Sequence, residues 1–325
     1  LRTIGGGDGT ISFMFFNPMK RKRRECLAGD GEEESGMLRG RTAFYAWQAS
    51  RLPHFEAVIH PTAIVHAGAK LDSTVRVGPY AVVDGDVEIG PHCVIGPYVY
   101  LTGLTKIGAH NQFHAGGVIG DAPQDLKYRG EPTGLRIGEH NVFREHVTVH
   151  RSAKVGEETI LGSHNYLMQH SHVAHNCLIG DQMILAGGAL LAGYVVVADR
   201  AFISGNCLLH QFTRVGTLAM MQGGTAISMD VPPFTIARRQ NEICGLNVVG
   251  LRRAGFTSAE RLELKQLYHA LFRGGENLRA ALAAAGPRFT SPPARTLIEF
   301  VASARRGVCS DFGADRAADA ESESE

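Results

Sequence analysis

Every sixth residue is apolar along most of the chain. From Ile59 the series runs through Val65, Leu71 and Val77 to Phe113 and Ile119, eleven apolar residues in eleven steps. It resumes at Ile137 and continues through Phe143, Val149 and Val155 to Met221 and Ile227, sixteen more. A period of six is neither the 3.6 of a helix nor the 2 of a lone strand. It fits a chain that makes a short strand, turns a corner and repeats, so that three hexads close one triangular coil. Gly follows the apolar residue at Gly78, Gly90, Gly96, Gly108 and several later positions, consistent with corners that need a small residue or a permissive backbone.

Twenty-seven hexads make nine coils. At roughly 4.8 Å per coil this is a rod of about 40 Å. The pattern thus predicts a mainly β protein, a parallel β-helix of hexapeptide repeats over residues 56–235, with a polar excursion at 121–134. Because Ile137 lies 18 residues beyond Ile119, the excursion is expected to replace about one coil. His146 and His164, also 18 apart, are expected to stack in adjacent coils. Beyond Asp230-Val-Pro-Pro233, Thr257-Ser-Ala-Glu260 has capping-box spacing and opens a helical pattern through Leu264, Leu267, Tyr268 and Leu271. A second helix is expected over 276–285 and a third after Pro292-Pro293, giving a small C-terminal helical domain over 236–307. Residues 1–55 and the acidic tail 308–325 lack periodicity and read as disordered extensions.

Composition narrows the partners. Lys and Arg number 33 against 32 Asp and Glu, a net charge of +1 that gives no reason to expect a nucleic acid. No window approaches the roughly 20 apolar residues of a spanning helix, and the basic run Lys20–Arg24 precedes no apolar signal core, so a cytoplasmic protein without an integral membrane segment is expected. Six cysteines lie scattered without a C-x-x-C pair and read as reduced core thiols.

Fourteen of the 15 histidines lie between His54 and His210. Most read as solvated corner residues, but Gln169-His-Ser-His-Val-Ala-His-Asn176 is dense, with His150 upstream and His210-Gln211-Phe212 downstream. Counted modulo 18, His172, His175 and His210 flank the row of Val173, Leu191 and Leu209, whereas His150 follows Val149 in the row of Leu167 and Leu185. On that count they occupy different edges of one prism. A shared site would then lie between chains of a three-fold assembly.

Gln124-Asp-Leu-Lys-Tyr128 with Gly130-Glu-Pro-Thr133, Thr148-Val-His-Arg151, His172-Val-Ala-His175, His210-Gln-Phe212, Asp230-Val-Pro-Pro233 and Gly250-Leu-Arg-Arg253 together resemble the acyl-ACP:UDP-N-acetylglucosamine O-acyltransferases of lipid A biosynthesis. The resemblance spans about residues 56 to 305. It implies a left-handed coil and a homotrimer that moves an (R)-3-hydroxyacyl group from acyl carrier protein to the 3-hydroxyl of UDP-N-acetylglucosamine. The donor is carried on the phosphopantetheine of that protein, with no further cofactor and no metal. By the same resemblance His175 is the general base, as a protonated sugar hydroxyl needs, and the Gly193 N–H receives the oxyanion. Asp125 and Lys127 match sugar-binding positions, and His150, His172, His210 and Gln211 line the substrate cleft. Asn247 and Arg253 match the nucleotide and carrier ends. Gly223 matches the end of an acyl-chain ruler, where Gly leaves the groove open to a long donor.

The chain departs from that pattern at Asn176, where an Asp commonly follows the base, at Tyr194, where a His is common, and at Val249, where some members carry a Glu. Three rivals stay open on the same scaffold. One is a zinc carbonic anhydrase using His170, His172 and His175. A second is the related UDP-sugar N-acyltransferase, which usually has a folded domain before its coils. The last is an inactive assembly scaffold.

Overall fold

The computed structural model describes residues 58–311; the expected extension 1–55 and residues 312–325 of the expected acidic tail lie outside the described residues. Three parallel sheets form the faces of a prism. The first face has nine strands, from Ile64–Val65 to Ala226–Ile227, and the second eight, from Lys70–Leu71 to Arg214–Val215. A third, of ten strands, begins at Arg76–Val77. Inward residues stack in register from coil to coil: Val149 on Val173, then Leu191, then Leu209, all buried.

The corners explain the polar residues of the hexads. Their second position takes left-handed backbone, at φ 57° in His110, 57° in Asn176 and 61° in Tyr194. This costs a side-chain-bearing residue about 1–2 kcal/mol. Bonds between coils offset it, as where Tyr194 N–H donates to the His175 carbonyl at 3.0 Å. The first corner position needs no N–H at all, and Pro79, Pro91 and Pro97 occupy it.

Two details of register differ from the sequence reading. Ile119 lies on the first face, but Ile137 pairs with Ile107 on the second. The excursion therefore adds twelve residues within one coil, 18 from Ile119 to Ile137 where six would do, and does not replace a coil. The chain leaves at Gly120, whose φ of 84° and close approach to Thr105 exclude any side chain. A second excursion, around 152–157, was not foreseen. Val155, counted as a hexad position, is 59% exposed there. Both insertions are multiples of six, so they kept the apolar series in phase while moving the chain around the prism. In consequence His146 stacks on His170 at 5.2 Å and His164 on His140 at 4.9 Å, not on each other.

Strand pairing continues past residue 235. Thr235–Arg238 extends the third face, and Glu242–Leu246 closes it antiparallel. Four helices follow: α1 Val248–Arg253, which the sequence did not reveal, α2 Ser258–Phe272 with the Thr257–Glu260 capping box, α3 Leu278–Arg288 and α4 Pro292–Ala302. Leu251, Leu264, Leu271, Leu297 and Val301 pack on Leu218 and Phe234 of the last coils. Arg214 bonds Asp230 at 2.7 Å and the Phe300 carbonyl at 3.1 Å, tying the rod to α4. No helix among the described residues is long and apolar enough to cross a membrane.

Candidate active site

The outward row of the first face reads Thr148, His172, Leu190, Leu208, Ala226 in successive coils. An apolar strip thus leads from a histidine toward the C-terminal end. Beside it runs a groove of about 650 Å³ lined by His172, His175, Gly193, His210, Gln211 and, from the long excursion, Gln124. Val149 pairs with Val173, which puts His150 on the same face as His172; their rings meet edge to face at 5.1 Å. The expected separation of these histidines onto different edges is wrong, because the second excursion advances the count by six residues. One chain brings His150, His172 and His175 together.

His175 is only 5% exposed. Its ring lies on Gly193, where an added Cβ would sit 2.6 Å from Cε1, and meets Tyr194 edge-on at 5.5 Å. His175 Nδ1 is 2.9 Å from Asn176 Oδ1. That oxygen also accepts from the Ala153 N–H at 2.9 Å, while Asn176 Nδ2 donates to Glu157 Oε2 at 2.9 Å and Ser152 Oγ at 2.6 Å. A backbone N–H only donates and an ionised carboxylate only accepts, so the amide has one orientation. Nδ1 of His175 must therefore carry a proton, so that in the neutral imidazole the lone pair lies on Nε2. Gly193 occupies the corner position that proline takes elsewhere, and its N–H has no partner among the described residues.

The neighbouring imidazoles are held neutral. Burial, reinforced by His150 and His175, pushes His172 down to about 4, and its Nδ1 shares a 2.7 Å bond with Thr148 Oγ1. Burial also lowers His150, against the opposing charge of Asp121. His150 Nδ1 is buried with no hydrogen-bond partner among the described residues.

On the long excursion the Asp125 carboxylate accepts from the Lys127 N–H at 2.9 Å, closing a turn, and the exposed Lys127 ammonium has no partner among the described residues. Burial, then Glu157 and Asp125, raise the Tyr194 phenol against the opposing charge of Lys154, and Gln124 brings the excursion to the groove beside His175. Arg151 pins it, donating to the Gly120 carbonyl at 2.8 Å and to the Tyr128 hydroxyl at 3.1 Å. His210 Nδ1 lies 3.1 Å from the Gln211 carbonyl oxygen and 3.4 Å from Arg306 Nη2. Asn247 caps α1, accepting from Gly250 N–H at 2.9 Å, and Arg253 ends that helix; neither lines the groove. A Cβ on Gly223 would meet only the Gly205 carbonyl oxygen, at 3.5 Å. Of the zinc reading's ligands, His170 stacks on His146 at another corner, and no three His, Cys, Asp or Glu among the described residues are placed to hold a metal ion. Sequence reasoning missed Ser152 and Glu157, since nothing in the hexads shows an excursion folding onto Asn176.

Comparison with known proteins gives concordant matches. Residues 230–309 match the profile of UDP-N-acetylglucosamine O-acyltransferase domain 2, and residues 68–103 that of the six-repeat bacterial transferase hexapeptide. The acyl-[acyl-carrier-protein]–UDP-N-acetylglucosamine O-acyltransferase of Syntrophobacter fumaroxidans is 42% identical over 77% of this chain and 98% of its own length. That of Thermodesulfovibrio yellowstonii is 41% identical over the same shares. Among solved structures, the Francisella novicida UDP-N-acetylglucosamine acyltransferase superposes with TM-score 0.76 at 31% identity, over 79% of this chain and 95% of that one. The Moraxella catarrhalis UDP-N-acetylglucosamine O-acyltransferase gives 0.75 at 35%, over 78% and 100%. The fold is the left-handed parallel β-helix with a small C-terminal helical region.

Proposed function

The chain belongs to the acyl-[acyl-carrier-protein]–UDP-N-acetylglucosamine O-acyltransferase family, and we propose that His175 is the base with which it moves an (R)-3-hydroxyacyl group from acyl carrier protein to the sugar 3-hydroxyl. The observation that carries this reading is the fixed tautomer. With Nδ1–H committed to Asn176, the Nε2 lone pair of His175 stands beside the unpartnered Gly193 N–H in one groove. Nε2 takes the hydroxyl proton as the sugar oxygen attacks the thioester carbonyl. Gly193 N–H stabilises the tetrahedral oxyanion, and the phosphopantetheine thiol leaves with the proton from the imidazolium. The chemistry requires no group beyond the donor's own thioester, and a donor borne on acyl carrier protein supports a cytoplasmic site of action.

The strip of Leu190, Leu208 and Ala226 suits the acyl chain, while Asp125, Lys127 and Gln124 serve the sugar end with His150 and His172; His210 and Gln211 line the groove two coils beyond His172, beside the strip. Arg253, at the end of α1 outside the groove, is assigned to the carrier end by the family resemblance alone, and Asn247, whose side chain caps α1, reaches the nucleotide only if that cap opens. Outward side chains also support a homotrimer. Ile184, Phe202, Met220 and Ile236 form an apolar row on the third face beside the strip of the first, whereas the second begins with Lys70, Glu88, Lys106 and Arg136 and turns apolar at Ile160, Leu178 and Val196. Three prisms packed through their apolar faces cover both rows and close each groove against a neighbour. A sedimentation mass of three chains checks this.

An open Gly223 leaves the C-terminal end of the strip unblocked, so long 3-hydroxyacyl donors are expected to outperform medium ones. Gly223 has ordinary backbone and space for a side chain. Gly223→Met should shift preference toward shorter donors, by about fourfold per methylene from the roughly 0.8 kcal/mol that each buried methylene contributes. Competition between donors of graded length reads the shift; uniform loss at every length would remove Gly223 from the ruler.

A further inference from the structure

The corner that carries His175 is braced from outside by the second excursion, and one of its residues has no part in the steps above. We propose that Glu157 is a positioning residue: acting through the Asn176 amide, its carboxylate holds the His175 tautomer and supplies the negative charge that balances the imidazolium. The proposal rests on the reading of His175 as base.

The geometry is a two-bond chain. His175 Nδ1–H donates to Asn176 Oδ1 at 2.9 Å, and Asn176 Nδ2 donates to Glu157 Oε2 at 2.9 Å. Each other contact of the amide supports the same orientation. Ala153 N–H donates to Oδ1 at 2.9 Å, and Ser152 Oγ takes the second amide proton at 2.6 Å while turning its own hydroxyl to the Lys154 carbonyl at 3.2 Å. The Asn176 N–H is held by Thr159 Oγ1 at 2.8 Å. Asn176 is buried and all its side-chain hydrogen-bonding atoms are used, so it cannot flip without orphaning buried groups. A rigid, buried amide between a carboxylate and an imidazole transmits polarity better than solvent would.

The charges around this chain leave Glu157 the role. On the groove side His175 faces His150 and His172, whose charged forms burial disfavours; the carboxylates there, Asp121 and Asp125, act on His150 and Tyr194 and have no hydrogen-bonded path to His175 among the described residues. Tyr194 lies edge-on to the ring with its phenol raised, hence protonated. On the excursion side Lys154 Nζ pairs with Glu157 Oε1 at 2.5 Å, which fixes the rotation of the carboxylate and leaves Oε2 to Asn176. An amide therefore follows the base in sequence, and the acid stands one hydrogen bond further out, on a segment inserted between two coils.

The test is an exchange of the two groups. Glu157→Gln keeps an oxygen acceptor but removes the charge, and should lower kcat about tenfold with KM for both substrates unchanged. Combining it with Asn176→Asp moves the carboxylate directly against Nδ1, and kcat should return to within about threefold of wild type. Asn176→Asp alone sets two carboxylates against each other and should not match the double variant. Glu157 lies on the partly exposed side of its excursion, and thermal melting of each variant shows that the fold is kept. Wild-type kcat in Glu157→Gln, or a double variant no faster than Glu157→Gln alone, would overturn the proposal. If His175→Ala is inactive while Glu157→Gln is wild-type, only this inference fails; if His175→Ala stays active, the base assignment itself fails.

Discussion

Replacing His175 by Ala is expected to lower turnover of purified 3-hydroxyacyl carrier protein and UDP-N-acetylglucosamine on the order of 100-fold or more, the usual loss for a general base. A sugar hydroxyl is almost wholly protonated at neutral pH, and His150 and His172 do not substitute for the missing base. Burial lowers both, and His172 Nδ1 is already engaged with Thr148. The same change should cost little stability. His175 is buried, but its loss orphans no polar group: Asn176 Oδ1 keeps the Ala153 N–H, and Nδ2 keeps Glu157 and Ser152. The inward core of Val173, Leu191 and Leu209 is untouched. Melting should therefore fall by only a few degrees. Wild-type turnover in this variant would remove His175 from the chemistry; a large fall in melting temperature would mean that the corner depends on the ring for its fold.

The period of six made the prism legible, because each inward position must be apolar and each corner must turn within two residues. It also concealed the path of the chain. Insertions of twelve residues after Asp121 and six after Arg151 keep the count in phase, so counting modulo 18 placed His150 one edge away from where Val149 and Val173 put it. The grouping of His172, His175, His210 and Gln211 around the groove was readable, since hexads of regular length separate them. Asn176 and Tyr194 were readable as departures, yet their surroundings were not. What Asn176 meets depends on how Ser152, Ala153 and Glu157 fold across a gap between coils, and no periodicity records that. Asn247 illustrates the converse: its polar side chain is spent on capping α1 and on the Leu218 carbonyl, contacts that follow from a helix the hydrophobic pattern was too short to announce.

Adding one methyl group at Gly193 should be nearly as damaging as removing the base. The Cβ of Gly193→Ala would lie 2.6 Å from Cε1 and 2.7 Å from Nε2 of His175, closer than side-chain carbons approach one another. Gly193 has no left-handed backbone requirement, so the substitution fits the main chain, and the imidazole must give way instead. It cannot do so freely. Asn176 holds Nδ1 at 2.9 Å, and the amide behind it is fixed by Ala153, Ser152 and Glu157. Swinging the ring off Cβ moves Nε2 by about an ångström and strains or breaks the Nδ1 bond. A displacement of that size costs on the order of 100-fold in rate when the reacting atoms must be aligned. The proposed oxyanion donor survives in Gly193→Ala, since alanine keeps the N–H, so the loss reports on His175 and not on the oxyanion site. It should appear in kcat, with KM for the sugar nucleotide little changed. Gly286→Ala, on α3 with no described atom beyond its own helical turn within 4 Å of the added methyl, supplies the control and should turn over like wild type. A Gly193→Ala enzyme within twofold of wild-type kcat would show that the ring is free to move, and that the tautomer-fixing chain through Asn176 does not hold it in place.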